Sequence, residues 1–321
     1  MGIKIKKEGG NSMFTKYDSL ELSRIIGEPR DPRRPYPLLV QDICEVDSAD
    51  PNEYVYYHQV FQDTDVLYTI TTTGQVTQQN VVPLVPNLLS FVDYATPEFY
   101  VKLTDLANAK EPVLARKKAT IERVMNANEN SQIISLLATT AASNGNLNDL
   151  RSGETSMNYQ HVIDMIDQII DYSENYVLVA GTQIDKDIKL WNWKDNKYNN
   201  LLDAFNDLGI SVRRINQTYA LGTGAPAAIL SPYVAYLVGT TTEQPGKPLL
   251  FVRKRMNEIE KLGGIISETG DQAERLIFIS PNPVQVSSTR YLAVGMTGYE
   301  EIVVAVTNPK AVAQFIRTAQ A

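Results

Sequence analysis

No glycine occurs between Gly74 and Gly145, and after Pro112 no proline recurs until Pro226. The two residue types that most readily end a helix are thus missing from a stretch long enough to set the frame of the whole molecule. Within it, Leu114, Ile121, Val124, Met125, Ile133, Leu136 and Leu137 recur at approximately helical spacing. The pattern predicts a helix opened by Pro112, running to about Ser143 and stopped by Asn144-Gly145-Asn146. At ~1.5 Å per residue it would be roughly 45–50 Å long. Asn126, Asn128, Glu129 and Asn130 interrupt the stripe. Three low-propensity asparagines predict a bend or break there, in a helix whose polar middle is wet on both faces.

The preceding chain looks unable to fold alone. Residues Gln59 to Asn80 alternate as strands, with Val66, Tyr68 and Ile70 on one face, turn near Thr73-Gly74, and return through Gln, Thr and Asn. A two-stranded ribbon with so little apolar surface is marginal in water and needs another surface to lean on. Before it, Pro29, Pro32, Pro35 and Pro37 hold the backbone extended around Arg30, Arg33 and Arg34. Residues 1–34 carry eight basic and five acidic side chains, a balance of +3, which leaves −10 for the remainder of a chain whose net charge is −7. An acidic body argues against tight binding to a phosphate backbone. Arg30, Arg33 and Arg34 are expected to meet carboxylates of a neighbouring subunit. Val66, Tyr68 and Ile70 are expected to meet a neighbour as well.

After the long helix the texture becomes mixed. Residues Asn146 to Ser156 read as a polar linker, Val162 to Ile170 as one face of an amphipathic helix, and Tyr176 to Ala180 as a buried strand. A helix over Leu201 to Leu208 ends at Gly209, and strands follow at Ile210 to Ile215, Ala227 to Leu230, Leu249 to Val252 and Leu276 to Ile279. Thr96-Pro97 and Ser231-Pro232 each predict a helix start, the second helix running through Val238. Two closing strands, Arg290 to Met296 and Glu301 to Thr307, are expected to join through Thr297-Gly298-Tyr299, with Asn308-Pro309 opening a C-terminal helix through Arg317.

Candidates for chemistry are few. His58 and His161 are the only histidines, and both read as surface or interface residues rather than as a catalytic base. Cys44 stands alone, so an intrachain disulfide is excluded, and no His or Cys pair has metal-ligand spacing. Asp185-Lys186-Asp187 follows a strand without a glycine-rich phosphate loop and reads as solvated, and Gly222-Thr223-Gly224 precedes a proline rather than a helix. Trp191 and Trp193 among Lys189, Lys194 and Lys197 mix aromatic and basic residues as single-strand binders do, although anchoring a helix on a sheet is the better reading. No catalytic, cofactor or metal site is expected. No apolar run approaches the ~20 residues of a membrane helix, and residues 1–10 lack the apolar core of a signal peptide, so a soluble intracellular product is expected.

The order of elements — arm, ribbon, long helix, mixed domain, returning strands — resembles the major capsid proteins of tailed bacteriophages, whose fold is shared with encapsulins and the herpesvirus capsid floor. Tyr176-Val177-Leu178-Val179-Ala180-Gly181, Ala228 through Leu237, and Arg290-Tyr291-Leu292-Ala293-Val294 through Thr307 carry the local likeness. The resemblance implies an α+β fold with an N-terminal arm (1–50), an extended β-hairpin loop (51–86) and a peripheral domain built on a long spine helix (87–156). An axial α/β domain (157–280) and returning strands with a C-terminal helix (281–321) complete it. It further implies hexamers and pentamers of this chain forming an icosahedral virion head, assembled in the host cytoplasm. A separate scaffolding protein, a portal, cement proteins and weak non-specific contact with packaged double-stranded DNA are the other expected partners, with no membrane. An encapsulin-like compartment shell uses the same fold and stays open as an alternative. An oligomeric α/β enzyme built on residues 157–280 is a third reading.

Some members of that family weld subunits through a lysine in the extended loop, but here no lysine lies between Lys16 and Lys102. Particles boiled in detergent are therefore expected to run as single chains of 35.8 kDa. A ladder of oligomers surviving reductant would contradict this.

Overall fold

A computed structural model describes residues 38–58, 60, 87–151, 153, 156–190, 201–219, 225–242, 246–256, 265–267, 274–279, 284–286 and 291–318. The Gln59 to Asn80 ribbon, Val66, Tyr68, Ile70, Arg30, Arg33, Arg34, both tryptophans and the Gly222-Thr223-Gly224 segment lie outside the described residues.

The long helix, α2, is one unbroken element, Leu103–Asn144, of 42 residues, or about 63 Å at 1.5 Å per residue. It starts nine residues before the expected Pro112, which lies inside it, and it continues through the asparagines that were expected to bend it. Along it, Ile121, Met125, Glu129, Ile133, Leu137 and Ala141 form an i, i+4 row of fully or almost fully buried side chains. Gly145, with φ +73°, ends the helix as expected.

Two sheets take up that row. The first is built on β16, Tyr291–Val306, which pairs with β12 (Leu249–Lys254), β14 (Arg275–Ile279) and β15 (Val284–Val286) along one side. Its other side takes β4 (Val92–Ala95) and β5 (Phe99–Lys102). Strand β1, Cys44–Ala49, runs parallel to β12, and β13 (Ile265–Ser267) pairs with β14. The second sheet has the order β6 (Leu147–Leu150), β17 (Val312–Arg317), β11 (Val234–Thr240), β7 (Asn175–Ala180), β8 (Ile210–Arg214). Its central strands β17, β11 and β7 are buried on both faces, which is why β7 and β11 read as continuous apolar runs. Val177, Val179, Tyr236, Val238 and Val312 face α2 in a core shared with Leu249, Phe251 and Ile302 of the first sheet. Leu178, Ala180, Leu237, Ala313 and Phe315 face the opposite core, closed by α3 (Tyr159–Ile169), α4 (Thr182–Leu190) and α5 (Leu201–Asp207).

Several expectations are corrected by these neighbours. Thr96-Pro97 opens no helix; Thr96 exchanges backbone and hydroxyl hydrogen bonds with Gly298 at 2.8 Å. The two closing strands are one strand, because Gly298 is not a turn residue. A Cβ there would come within 2.3 Å of Ile121 Cγ2, so this glycine lets the strand pass close under α2. Ser231-Pro232 precedes strand β11 rather than a helix, since Val234, Tyr236 and Val238 complete the shared core. Asn308-Pro309 opens only one 3-10 turn, Pro309–Ala311, before β17. The expected polar linker contains β6, held parallel to β17. Residues within the expected arm form a short helix, α1 (Val40–Ile43), and β1; Leu39, Val40, Ile43 and Cys44 are buried against α2. Burial pushes the Cys44 thiol well above its ordinary range.

One close approach generates a stability prediction. Any Cβ at Gly181 would lie 2.2 Å from the carbonyl oxygen of Ser231 and 2.8 Å from the carbonyl carbon of Pro232, both backbone atoms. Gly181→Ala is expected to cost about 1–3 kcal/mol in chemical denaturation. An unchanged denaturation midpoint would contradict this.

Candidate assembly surface and the charge cluster behind it

The root of the ribbon is described even though its body is not. Strand β2, Val55–His58, pairs antiparallel with β3, Asn87–Ser90, placing Tyr57 opposite Leu88. Alternation splits this pair of strands into two faces. The inner face packs Tyr56 and Leu89, with Phe91, against Ala49, Leu250, Val252, Val303 and Ala305 of the first sheet. His58 is buried, and its Nε2 lies 2.9 Å from the carbonyl oxygen of Val306. Lys254 forms a 2.8 Å ion pair with Glu301 and lies over the rings of Tyr54 and Phe91. The Tyr56 hydroxyl donates to Asp47, and burial together with that carboxylate raises the phenol to about 12. The outer face is apolar and uncovered: Tyr57 is 66% and Leu88 61% exposed, with Val55 beside them. The contact residues expected from the sequence, Val66, Tyr68 and Ile70, lie outside the described residues. The signal for the root was the Tyr54-Val55-Tyr56-Tyr57 run, whose alternation begins before Gln59.

Behind the ribbon root, α2 crosses the first sheet through a buried cluster of charges. Glu129 is 0% exposed, at the place in the i, i+4 row where an apolar residue would be expected. Arg253 from β12 donates to both its carboxylate oxygens, at 2.9 and 3.0 Å, while stacking over Phe251. Arg275 from β14 approaches Glu129 at 2.5 Å and Asn126 at 2.8 Å. Glu300, from β16, is less well provided. Its partners are Arg275 Nε at 3.3 Å and the Asn128 amide at 3.2 Å. Burial, and after it the nearby Glu129 carboxylate, raise Glu300 to about 7 against the opposing pull of Arg275. The remaining asparagines are pinned as well. Asn130 receives the Leu39 amide at 3.0 Å and donates to Gln217 at 2.8 Å, and Asn128 accepts from Tyr219 at 3.0 Å. The polar middle of α2 is therefore a buried hydrogen-bonding block, not a wet surface.

The other candidates for chemistry are structural. His161 is buried, caps α3 reciprocally with Asn158, and lies 5.0 Å from the Phe315 ring. Asp185 is buried in α4, not solvated in a loop, and pairs with Lys189 at 2.8 Å and Arg214 at 3.2 Å. Asp187 holds Arg317 at 2.8 Å. Among the described residues, no three or more His, Cys, Asp or Glu side chains gather as metal ligands would.

The fold these elements define is that of viral capsid proteins. It is shared over nearly the whole chain with a capsid structure of the cyanophage P-SCSP1u, at 9% identity and a TM-score of 0.54, covering 97% of each chain. The mature capsid of bacteriophage PhiM1 matches at 8% identity and a TM-score of 0.55, covering 100% of this chain and 93% of the other. The capsid of an empty GTA particle matches at 12% and 0.57, covering 93% and 98%. No family model matches the sequence, and no curated protein does.

The cluster predicts a large response to losing one partner. Removing Arg253 leaves a fully buried carboxylate with half its compensation, so Arg253→Ala is expected to cost about 3–5 kcal/mol by denaturant titration. Arg253→Lys should recover only part, because a lysine cannot bind both oxygens in the same fork. A loss below about 1 kcal/mol, the range of a surface ion pair, would contradict the assignment.

Proposed function

We propose that this chain is the major capsid protein of a tailed bacteriophage, assembling with copies of itself into hexamers and pentamers that enclose packaged double-stranded DNA in an icosahedral head. The observation that carries the proposal is the fold shared with three capsid structures over more than nine-tenths of this chain. The ribbon root supports it: one face is fastened to the subunit, and the other, with Tyr57 and Leu88, is left apolar and uncovered. Such a face gains by meeting another protein surface. The role is structural rather than enzymatic, with no cofactor.

Within this reading, residues 51–86 act as an extended loop, α2 with the first sheet as a peripheral domain, and the second sheet with α3, α4 and α5 as an axial domain. Strands β12 and β14, inside the expected axial range 157–280, and α1 and β1, inside the expected arm 1–50, pack with the first sheet and α2 instead. Val66, Tyr68 and Ile70 continue the contact begun at Tyr57 and Leu88. Arg30, Arg33 and Arg34 pair with carboxylates of an adjacent subunit. A scaffolding protein, a portal and cement proteins act beside the chain, contact with DNA is weak and non-specific, and assembly in the host cytoplasm ends in the virion.

Electron microscopy and sedimentation of the recombinant protein test this reading, and rings, shells or tubes are expected, alone or with scaffold. A folded protein that stays monomeric at high concentration under both conditions would contradict it. Combined Val55→Ser, Tyr57→Ser and Leu88→Ser substitutions are expected to abolish assembly. Because these side chains are exposed, each should shift subunit stability by no more than about 0.5 kcal/mol. Normal assembly of the triple variant would remove the ribbon root from the interface.

A further inference from the structure

Glu129 and Glu300 share two arginines unequally. Glu129 takes the bidentate contact of Arg253 and the shortest contact of Arg275, whereas Glu300 keeps one ion contact at 3.3 Å and one amide at 3.2 Å. Both carboxylates are buried, so neither can be compensated by water. We propose that the Glu300 carboxyl is a proton-operated clasp between α2 and the first sheet, closed when it carries a proton and loosened when it ionises.

The groups facing Glu300 come from every element packed around it. The long helix contributes Asn126, Asn128 and Glu129, β12 contributes Arg253, and β14 contributes Arg275, with Glu274 just before it bonded to Ser48. Tyr94 is the cross-strand partner of Glu300 on β4, and Tyr219 reaches Asn128. With Arg253 and Arg275 answering Glu129 and Glu274, a second full negative charge at Glu300 finds the far side of Arg275, the Asn128 amide and a more distant pull from Arg253. A protonated Glu300 lacks that charge and gains a hydroxyl donor.

The direction of the pH effect follows. Folding raises the proton affinity of Glu300 from the ordinary 4.5 to about 7, so its contribution to stability is fully present below pH 4.5 and is lost as pH rises through about 7. The loosening is local, acting where α2 crosses β16, β12 and β14. This inference concerns the subunit itself and stands apart from whether it forms shells.

The test compares the full-length chain with Glu300→Gln and Glu129→Gln by thermal unfolding at pH 5 and pH 8, the pH values being chosen to bracket ~7. Infrared titration of the buried carboxyl band accompanies it. The wild-type band is expected to disappear with a midpoint near 7 and to be absent in Glu300→Gln. That variant should melt a few degrees above wild type at pH 8 and level with it at pH 5. In Glu129→Gln the arginines are released toward Glu300, and the midpoint should fall toward the ordinary glutamate range. A wild-type band without a near-neutral midpoint would overturn the proposal, as would a Glu300→Gln variant equally destabilised at both pH values. Should Glu300→Gln fail to fold, the Glu129→Gln midpoint decides: an unmoved midpoint excludes Glu300 as the titrating group.

Discussion

Glu129 governs where everything else can sit. A carboxylate at the centre of a buried helical row is tolerable only when cations reach it, and here they come from two different strands, Arg253 on β12 and Arg275 on β14. A buried ion pair adds little net stability over apolar packing, but it penalises any arrangement that leaves one charge unpaired. Sliding α2 by one turn along the sheet, about 5.4 Å, would place Met125 or Ile133 against the two guanidinium groups. The cluster thus fixes the axial register of the helix. The apolar residues on either side, Ile121 and Met125 on one and Ile133 and Leu137 on the other, supply the cohesion.

That division explains which parts of the structure were legible in the sequence. The long helix, the amphipathic α3, the alternating β8 and the apolar strands β7, β12 and β14 carry their periodicity in their own residues, and their existence was plain. What failed were inferences from short polar signals whose meaning depends on a distant neighbour. Asn128, Glu129 and Asn130 look like a helix defect until Arg253, Tyr219 and Gln217 are brought against them. Gly298 looks like a turn until Ile121 is seen above it, and Ser231-Pro232 looks like a helix start until Val234 and Tyr236 are needed in the core. Glu129 itself offered one clue. It stands four residues from both Met125 and Ile133, which placed it in the apolar row from the start.

The ribbon root shows how the same fold prepares a surface. His58, Tyr56, Leu89 and the Lys254–Glu301 pair hold one face of β2 and β3 against the first sheet, so the opposite face is presented at a fixed height and angle. Preorganisation of this kind lowers the ordering cost of association, which matters when each contact is small and repeated many times. Only the inner root is anchored within the described residues, and the sequence beyond it, rich in Gln, Thr and Asn, offers little to stabilise a free ribbon. Under the proposed function, a subunit so arranged is completed by its neighbours.

The most direct measurement is a cryo-electron microscopy reconstruction of the assembled particle at side-chain detail, read at Tyr57 and Leu88. The proposed role predicts that a second copy of this chain covers both side chains and that the ribbon continues from them across that copy. A particle in which Tyr57 and Leu88 face solvent, with the ribbon folded back on its own subunit, would contradict it.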